Sequence, residues 1–390
     1  MSWDHIIGQL RQKDMLRRAI RQGRLPNAYL FTGPEGTGKE ATAIEVAKVL
    51  NCDAADALIS AAACGVCTSC EKFATLSHPN IEILFPVEKI LLEQPGETGK
   101  DRDKHDEALE RLKSLYAEKC RNPYFTMRMD KSMGILTSQV EALLEKSLYK
   151  PAGGKRRVFL ISQAERLGGD AANKLLKLLE EPPSYVLFIL VSSQPEKLLP
   201  TIVSRCQPVR FAALAAEQML EVLTEKFGDT VDASQLSFNA RFARGSFSQA
   251  LKLSETGAGD EPHTPQKLRD EALELLRNAL ASGRAFELMR RIEDAAKRDR
   301  PRESQSGLLA AMLVVFEDVI SVQAAGVAAR ITNADQREVI ERFAKNFPDG
   351  DFETAARETE QTIYRIAHNA SPLLAFIALA LNLRRLLRPQ

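Results

Sequence analysis

Gly33-Pro34-Glu35-Gly36-Thr37-Gly38-Lys39 has the residue types and spacing of a phosphate-binding loop. Glycines there let successive backbone N–H groups wrap an anion, the start of a helix adds positive potential, and the lysine reaches terminal phosphates. The context agrees: Ala28–Thr32 before the loop reads as a buried strand, and Lys39–Leu50 after it keeps apolar residues at helical spacing. Gly33, Gly36, Gly38 and Lys39 are therefore the candidate nucleotide-binding residues. The residues that would use a nucleotide are missing. Glu40 stands where a serine or threonine would ligate Mg²⁺. Ser162 and Gln163 follow an apolar strand where an aspartate would hold the metal and a glutamate would activate water. Glu165 reads as a surface or capping acid. ATP and Mg²⁺ binding is expected to be vestigial or weak.

A second chemical group is the set Cys52, Cys64, Cys67 and Cys70, with two C-x₂-C spacings sharing Cys67. Four thiolates suit tetrahedral structural Zn²⁺, and a Cys₄ shell leaves no open position for catalysis. An iron–sulfur cluster is the rival, but no C-x₃-C-P continuation follows. Buried thiols without metal are the bland alternative, and Cys120 and Cys206 fit it.

These groups must be positioned by a chain of 390 residues, long enough for two or three domains. Apolar residues at 44% and charged residues at 27% are ordinary for a globular protein. A net charge of +1 gives no bulk attraction to polyanions, so nucleic-acid contact would need a local patch or helix N-termini. No apolar signal region opens the chain, and the longest apolar run, Leu373–Leu381, is short of the ~20 residues that span a bilayer. A cytoplasmic protein with no membrane partner is expected, with its cysteines reduced or metal-bound.

Ile81–Phe85, Val158–Ile161 and Val186–Val191 read as further strands, separated by helices. The expected fold class is α/β, a parallel sheet with helices on both faces. After Phe211 the strands stop. Glu217–Phe227 and Leu236–Leu253 look helical, Ser254–Pro265 is a turn-rich linker, and the remainder is helical. Ser371-Pro372 opens a last apolar helix ending in Arg384, Arg385 and Arg388. The expected domains are 1–211, a P-loop core carrying the cysteine module (52–70); 212–257, a helical lid; and 266–390, a helical collar. The stretch 86–131 is highly charged and reads as a solvated insertion, with a surface helix over Lys104–Cys120.

Three further strings are more specific: Leu175-Leu176-Lys177-Leu178-Leu179-Glu180-Glu181-Pro182-Pro183, Ser204-Arg205-Cys206, and Ser192 through Ile202 (SSQPEKLLPTI). With the cysteines after the P-loop helix, the sequence closely resembles the AAA+ clamp-loader ATPases of bacterial DNA polymerase III. Ile7-Gly8-Gln9 and Asn369-Ala370-Ser371-Pro372-Leu373-Leu374 are similar to that family's N-terminal box and final collar helix. The resemblance implies an AAA+ module with lid and collar, and partners among the gamma/tau and delta subunits, the sliding clamp and primed DNA. It implies for Arg205 the part of an arginine finger acting in trans on a neighbour's ATP; a structural arginine paired with an acid is the alternative. It also marks Ser248 as standing where active members carry a phosphate-sensing lid arginine.

Substitution at Glu40, Ser162, Gln163 and Ser248 with Arg205 retained is similar to the delta-prime type, which does not turn over ATP. The competing expectation is an active gamma/tau-type ATPase in which Glu40 and Glu165 supply the lost ligands. Initiator or helicase-loading AAA+ proteins lack the SRC, LEEPP and cysteine strings, and a stand-alone DNA-binding module would need a basic aromatic stripe.

Overall fold

The computed structural model describes residues 2–93, 99–129, 131–151, 153, 155–255, 264–297, 299–329, 331–367 and 370–388. Residues 94–98 and 130 of the charged insertion, most of the 254–265 linker and Asn369 lie outside the described residues.

By contact, the chain divides into two compact units. One contains Met1–Gln218 with Gly245–Ser248; the other contains Met219–Arg244 with Gln249–Gln390. The stretch expected as a lid is thus shared between them.

The first unit is built on a parallel sheet of β1 (Ala28–Thr32), β2 (Ile81–Leu84), β3 (Arg157–Ile161), β4 (Val186–Ser192) and β5 (Gln207–Arg210), in the order β2-β3-β4-β1-β5. Side chains alternate across each strand, so each face collects its own core. Tyr29, Phe31, Leu160, Ile189 and Val191 pack with Val46, Ala47 and Val49 of the P-loop helix (Lys39–Asn51). Leu30, Phe159, Ile161, Phe188 and Leu190 meet Val140 and Leu143 on one helix and Leu175 and Leu178 on another. A sheet covered on both faces explains why β4 is buried along its whole length. With the helical regions that follow, this is the AAA+ architecture.

The sequence reading stopped the strands after Phe211 but named none over β5. Its residues, Gln207-Pro208-Val209-Arg210, are mostly exposed and include a proline, which no interior strand tolerates. β5 is an edge strand, paired only with β1, with Pro208 opposite Leu30. The charged insertion also differs from expectation. Its helix runs Gly99–Arg121, and Leu112, Leu115 and Tyr116 pack on a small core of Phe85, Val87, Met127 and Met129. Only the outer face of this helix is a solvated surface.

The P-loop helix is buried on all sides and encloses Glu45, which is 1% exposed. Among the described residues neither of its carboxylate oxygens has a hydrogen-bond partner, and the Lys48 ammonium is 4.0 Å away. Burial pushes the Glu45 carboxyl up to about 7, with Lys48 opposing the shift. A carboxyl raised in the folded state stabilises the fold below its ordinary 4.5, and that stability is lost as pH rises through about 7. Glu45→Gln is therefore expected to be more stable than wild type above pH 7 by ~3 kcal/mol, at 1.36 kcal/mol per tenfold change in proton affinity. The two should converge below pH 4.5, which urea titrations across that range would show.

The second unit is helical. Helix Arg302–Ala325 runs through its core, with Leu308, Leu309, Ala311, Met312, Val315, Phe316 and Val319 almost fully buried against the helices Pro265–Leu280, Arg337–Asn346 and Phe352–Ala367. Ser304–Ala325 is long and apolar enough to cross a membrane, with mean hydropathy 1.8, and exceeds the Leu373–Leu381 run read from sequence. Here its apolar faces are covered by neighbouring helices. Near its end, buried Asp318 accepts from the backbone N–H groups of Thr332 (2.7 Å) and Asn333 (2.8 Å) and from the Asn333 amide. These contacts fix the chain as it leaves the central helix.

Candidate nucleotide site and four-cysteine cluster

The phosphate loop has the predicted form, between β1 and the P-loop helix. Gly33 has φ +136°, and a Cβ there would collide with the Phe211 carbonyl. Gly36 has φ +74°, and a Cβ would strike the hydroxyls of Ser246 and Ser248. Both positions need glycine for conformation and for close approach. The second collision shows what covers the loop. The N–H of Phe247 donates to the Gly36 carbonyl at 2.9 Å, so the turn 245–248 is tied onto the cradle.

Lys39 is 6% exposed and donates to the carbonyls of Gly33 (2.7 Å) and Pro34. Burial pulls its pKa down to about 8, against the pull of Glu40, Glu35 and Glu165. The lysine that should meet phosphate is folded back onto its own loop.

The replaced metal-binding residues are joined to each other. Glu40 is buried, and its Oε1 accepts from the Ser162 hydroxyl. Its Oε2 is paired with the ammonium of Lys119, in the last turn of the insertion helix. Lys119 also donates to the carbonyls of Pro123 (2.9 Å) and Phe125, so each of its N–H bonds has an acceptor, and its side chain is 0% exposed. Gln163 also lines the cavity, and its amide is engaged, donating to the Met127 carbonyl at 2.8 Å. Glu165 lines the cavity rather than lying on the surface, a correction to the sequence reading. Its Oε1 accepts from the Ser193 hydroxyl at 3.0 Å, and its Oε2 is buried without a partner among the described residues.

The segment after the insertion helix closes the space. Tyr124 packs edge-on against Phe247 at 4.9 Å and lies against Gly38, while its hydroxyl accepts from the Ile7 N–H at 2.6 Å. Arg128 pairs with Glu35 of the loop at 2.7 Å. The remaining cavity is ≈ 30 Å³. Small-molecule sites run to ~300–1,000 Å³. Neither the volume nor the donor set fits a magnesium–nucleotide in this conformation.

Sequence reasoning missed Lys119 and Tyr124. The available signal was Asn-Pro-Tyr-Phe-Thr-Met (122–127), an apolar aromatic string inside a charged insertion that has to be buried somewhere. A second was the carboxylate of Glu40, which demands a cation once it is buried.

Arg205 is not among the residues that line this cavity. It follows the short helix Pro200–Val203 and leads into β5. Its guanidinium donates to the Thr201 carbonyl (3.0 Å) and to Glu180 of the LEEPP string (2.6 Å), with the side chain 34% exposed.

The four cysteines form a real cluster. All four Sγ atoms lie within 4.8 Å of one another, with Cys52–Cys67 at 3.9 Å, Cys64–Cys70 at 4.0 Å and Cys52–Cys70 at 3.7 Å. A tetrahedral Zn–S bond of ~2.3 Å puts sulfur atoms ~3.8 Å apart, so the separations fit. Backbone N–H groups point at the sulfurs: Cys64 to Cys52 Sγ at 3.3 Å, and Asp53 and Cys70 to Cys67 Sγ at 3.5 Å. The N–H groups of Val66 and Cys67 pull the Cys64 thiol down to about 6, while burial pushes Cys70 up to about 12. A divalent cation such as zinc would let all four thiols ionise together. The module is fastened to the sheet unit by Trp3, whose indole N–H donates to the Ala61 carbonyl at 2.8 Å, and by Lys155, which donates to the carbonyls of Asn51 and Cys52.

Comparison with known proteins agrees with this construction. The chain is 28% identical over 361 residues to DNA polymerase III subunit tau of Salmonella typhimurium, covering 89% of this chain and 48% of that one. It is 29% identical over 331 residues to the tau subunit of Escherichia coli, covering 82% and 43%. It is 26% identical over 260 residues to DNA polymerase III subunit delta' of Bacillus subtilis, covering 63% and 64%. The chain thus spans about half the length of the tau relatives it matches. Residues 8–215 match the family model described as DNA polymerase III, delta subunit. That match takes in more than half of the chain, the whole sheet, the phosphate loop and the cysteine cluster, and on it this chain belongs to that family.

Proposed function

We propose that this chain is a non-hydrolysing subunit of a DNA polymerase III clamp loader, of the delta-prime type. It assembles with gamma/tau and delta subunits in the cytoplasm and helps place the sliding clamp on primed DNA. The observation that carries this reading is the occupied phosphate site. Glu40, Ser162 and Lys119 satisfy one another, Lys39 is bonded to its own loop, and ≈ 30 Å³ remains. Arg205 then serves a neighbour's ATP rather than its own, the collar (266–390) holds the assembly, and the four cysteines hold structural Zn²⁺.

The isolated chain is expected to show no ATP turnover above background with Mg²⁺. Steady turnover that disappears in Lys39→Ala would replace this reading with that of an active gamma/tau-type subunit. Protein purified without chelator should contain one zinc per chain by elemental analysis. Cys67→Ser should lose it and expose the 52–70 segment to protease, because folding energy in such sites comes largely from the metal. Iron in place of zinc, or neither, would overturn the assignment.

A further inference from the structure

We propose that Lys119 is a resident cation: its ammonium takes the place of the divalent metal at the phosphate loop, and it and magnesium–nucleotide exclude one another. The inference rests on the reading of the site as non-hydrolysing, and goes further by naming the residue that keeps it so. Loss of metal ligands alone would leave an open cradle. P-loop backbone and lysine can still attract phosphate without Mg²⁺, because the helix N-terminus and the N–H groups remain. What closes this cradle comes from a separate part of the chain.

The geometry is that of a completed charge site. Lys119 lies in the last turn of a 23-residue helix, where carbonyls turn outward and a cation is favoured. Its donors are used by the Glu40 carboxylate and the carbonyls of Pro123 and Phe125. Glu40, at the magnesium ligand's position, receives Lys119 on one oxygen and Ser162, at the metal-binding aspartate's position, on the other. One positive charge is thus held between the two places that would grip Mg²⁺. By binding Pro123 and Phe125, the same ammonium fixes the segment that sets Tyr124 against Gly38 and Phe247. Nucleotide could enter only if this segment were displaced and Glu40 were left buried beside phosphate. The module is therefore held in one state without nucleotide.

The deciding variant removes both charges together, so that neither is stranded; the single variant, which leaves Lys119 without its carboxylate, counts only if circular dichroism shows it folded as wild type is. Binding of ATP with Mg²⁺ to the full chain is measured by calorimetry for wild type, Glu40→Ser and Glu40→Ser/Lys119→Met. Wild type and Glu40→Ser should show no binding at millimolar ATP, since Lys119 remains in both. The double variant should bind at least about tenfold more tightly, a difference of ~1.4 kcal/mol. If it folds as wild type does by circular dichroism and gains nothing, the role of Lys119 is wrong while the non-hydrolysing reading stands. If wild type already binds as tightly as the double variant, exclusion is wrong. If wild type also turns ATP over, the reading beneath it fails as well. Should the double variant not fold, Glu40→Thr/Lys119→Leu removes the same two charges and takes its place.

Discussion

Lys119→Met is expected to destabilise the protein by about 3–5 kcal/mol, a large share of the ~5–15 kcal/mol that holds a folded domain together. The reason is asymmetric. The substitution does not merely remove an ion pair; it leaves the Glu40 carboxylate buried with no cation, and two backbone carbonyls without their donor. Removing both charges is different, because a buried pair replaced by well-packed apolar or neutral groups is often close to neutral. Glu40→Gln/Lys119→Met should thus recover most of the lost stability. Urea unfolding of both single variants and the double would give the coupling directly as a double-mutant cycle. A cycle energy near zero would mean that the two residues do not share a charge site.

The second large effect is expected from Arg205→Ala, and only in the assembled complex. In the isolated chain Arg205 pairs with Glu180 at a half-exposed position, a contact typically worth ~0–1 kcal/mol. Folding and zinc content should therefore be unchanged, and the guanidinium can leave Glu180 at little cost. An arginine finger supplied in trans is worth ~10³–10⁵ in rate at the site it serves. A loader has several ATP sites, so DNA-triggered turnover should fall as the loss of one site, with clamp loading impaired. Arg205→Lys should not rescue it, since an ammonium cannot reproduce the planar fork. Glu180→Ala separates the two roles: it should leave turnover intact if Arg205 is a finger, and should mimic Arg205→Ala if the arginine matters only as the partner of Glu180. A reconstituted complex carrying Arg205→Ala that matched wild type in both assays would return Arg205 to the structural role.

Much of this was legible in order along the chain. The alternation of apolar runs with helical spacing gave β1 to β4 to within a residue or two, because the interior strands β1, β3 and β4, buried on both faces, must be continuously apolar, and the edge strand β2 still keeps three apolar residues of four. β5 was not legible, because an edge strand has no such constraint and can hold Pro208. The helix expected over Leu236–Leu253 is two helices, Ala233–Phe242 and Phe247–Glu255, separated at Arg244 and Gly245, where φ is +49° and +84°. Apolar spacing runs through that break, but the backbone does not, since the turn that follows is tied to the phosphate loop by the Phe247 N–H.

By itself the sequence determined the phosphate loop, the absence of its metal ligands and the cysteine set. Each is a local pattern, in which spacing along one strand, turn or helix fixes which atoms can meet. What it could not determine is what replaces the missing chemistry. Lys119 is 79 residues from Glu40 and Ser162 is 122, and nothing in the local pattern of any one of them selects the others. Only the folded sheet brings the ends of β1 and β3 together, and only the small core beneath the insertion helix aims its last turn at them. A buried carboxylate must find a cation, and a buried ammonium must find acceptors for each N–H. That requirement is met in three dimensions, and it turned a charged insertion read as solvent-facing into the closure of the phosphate site.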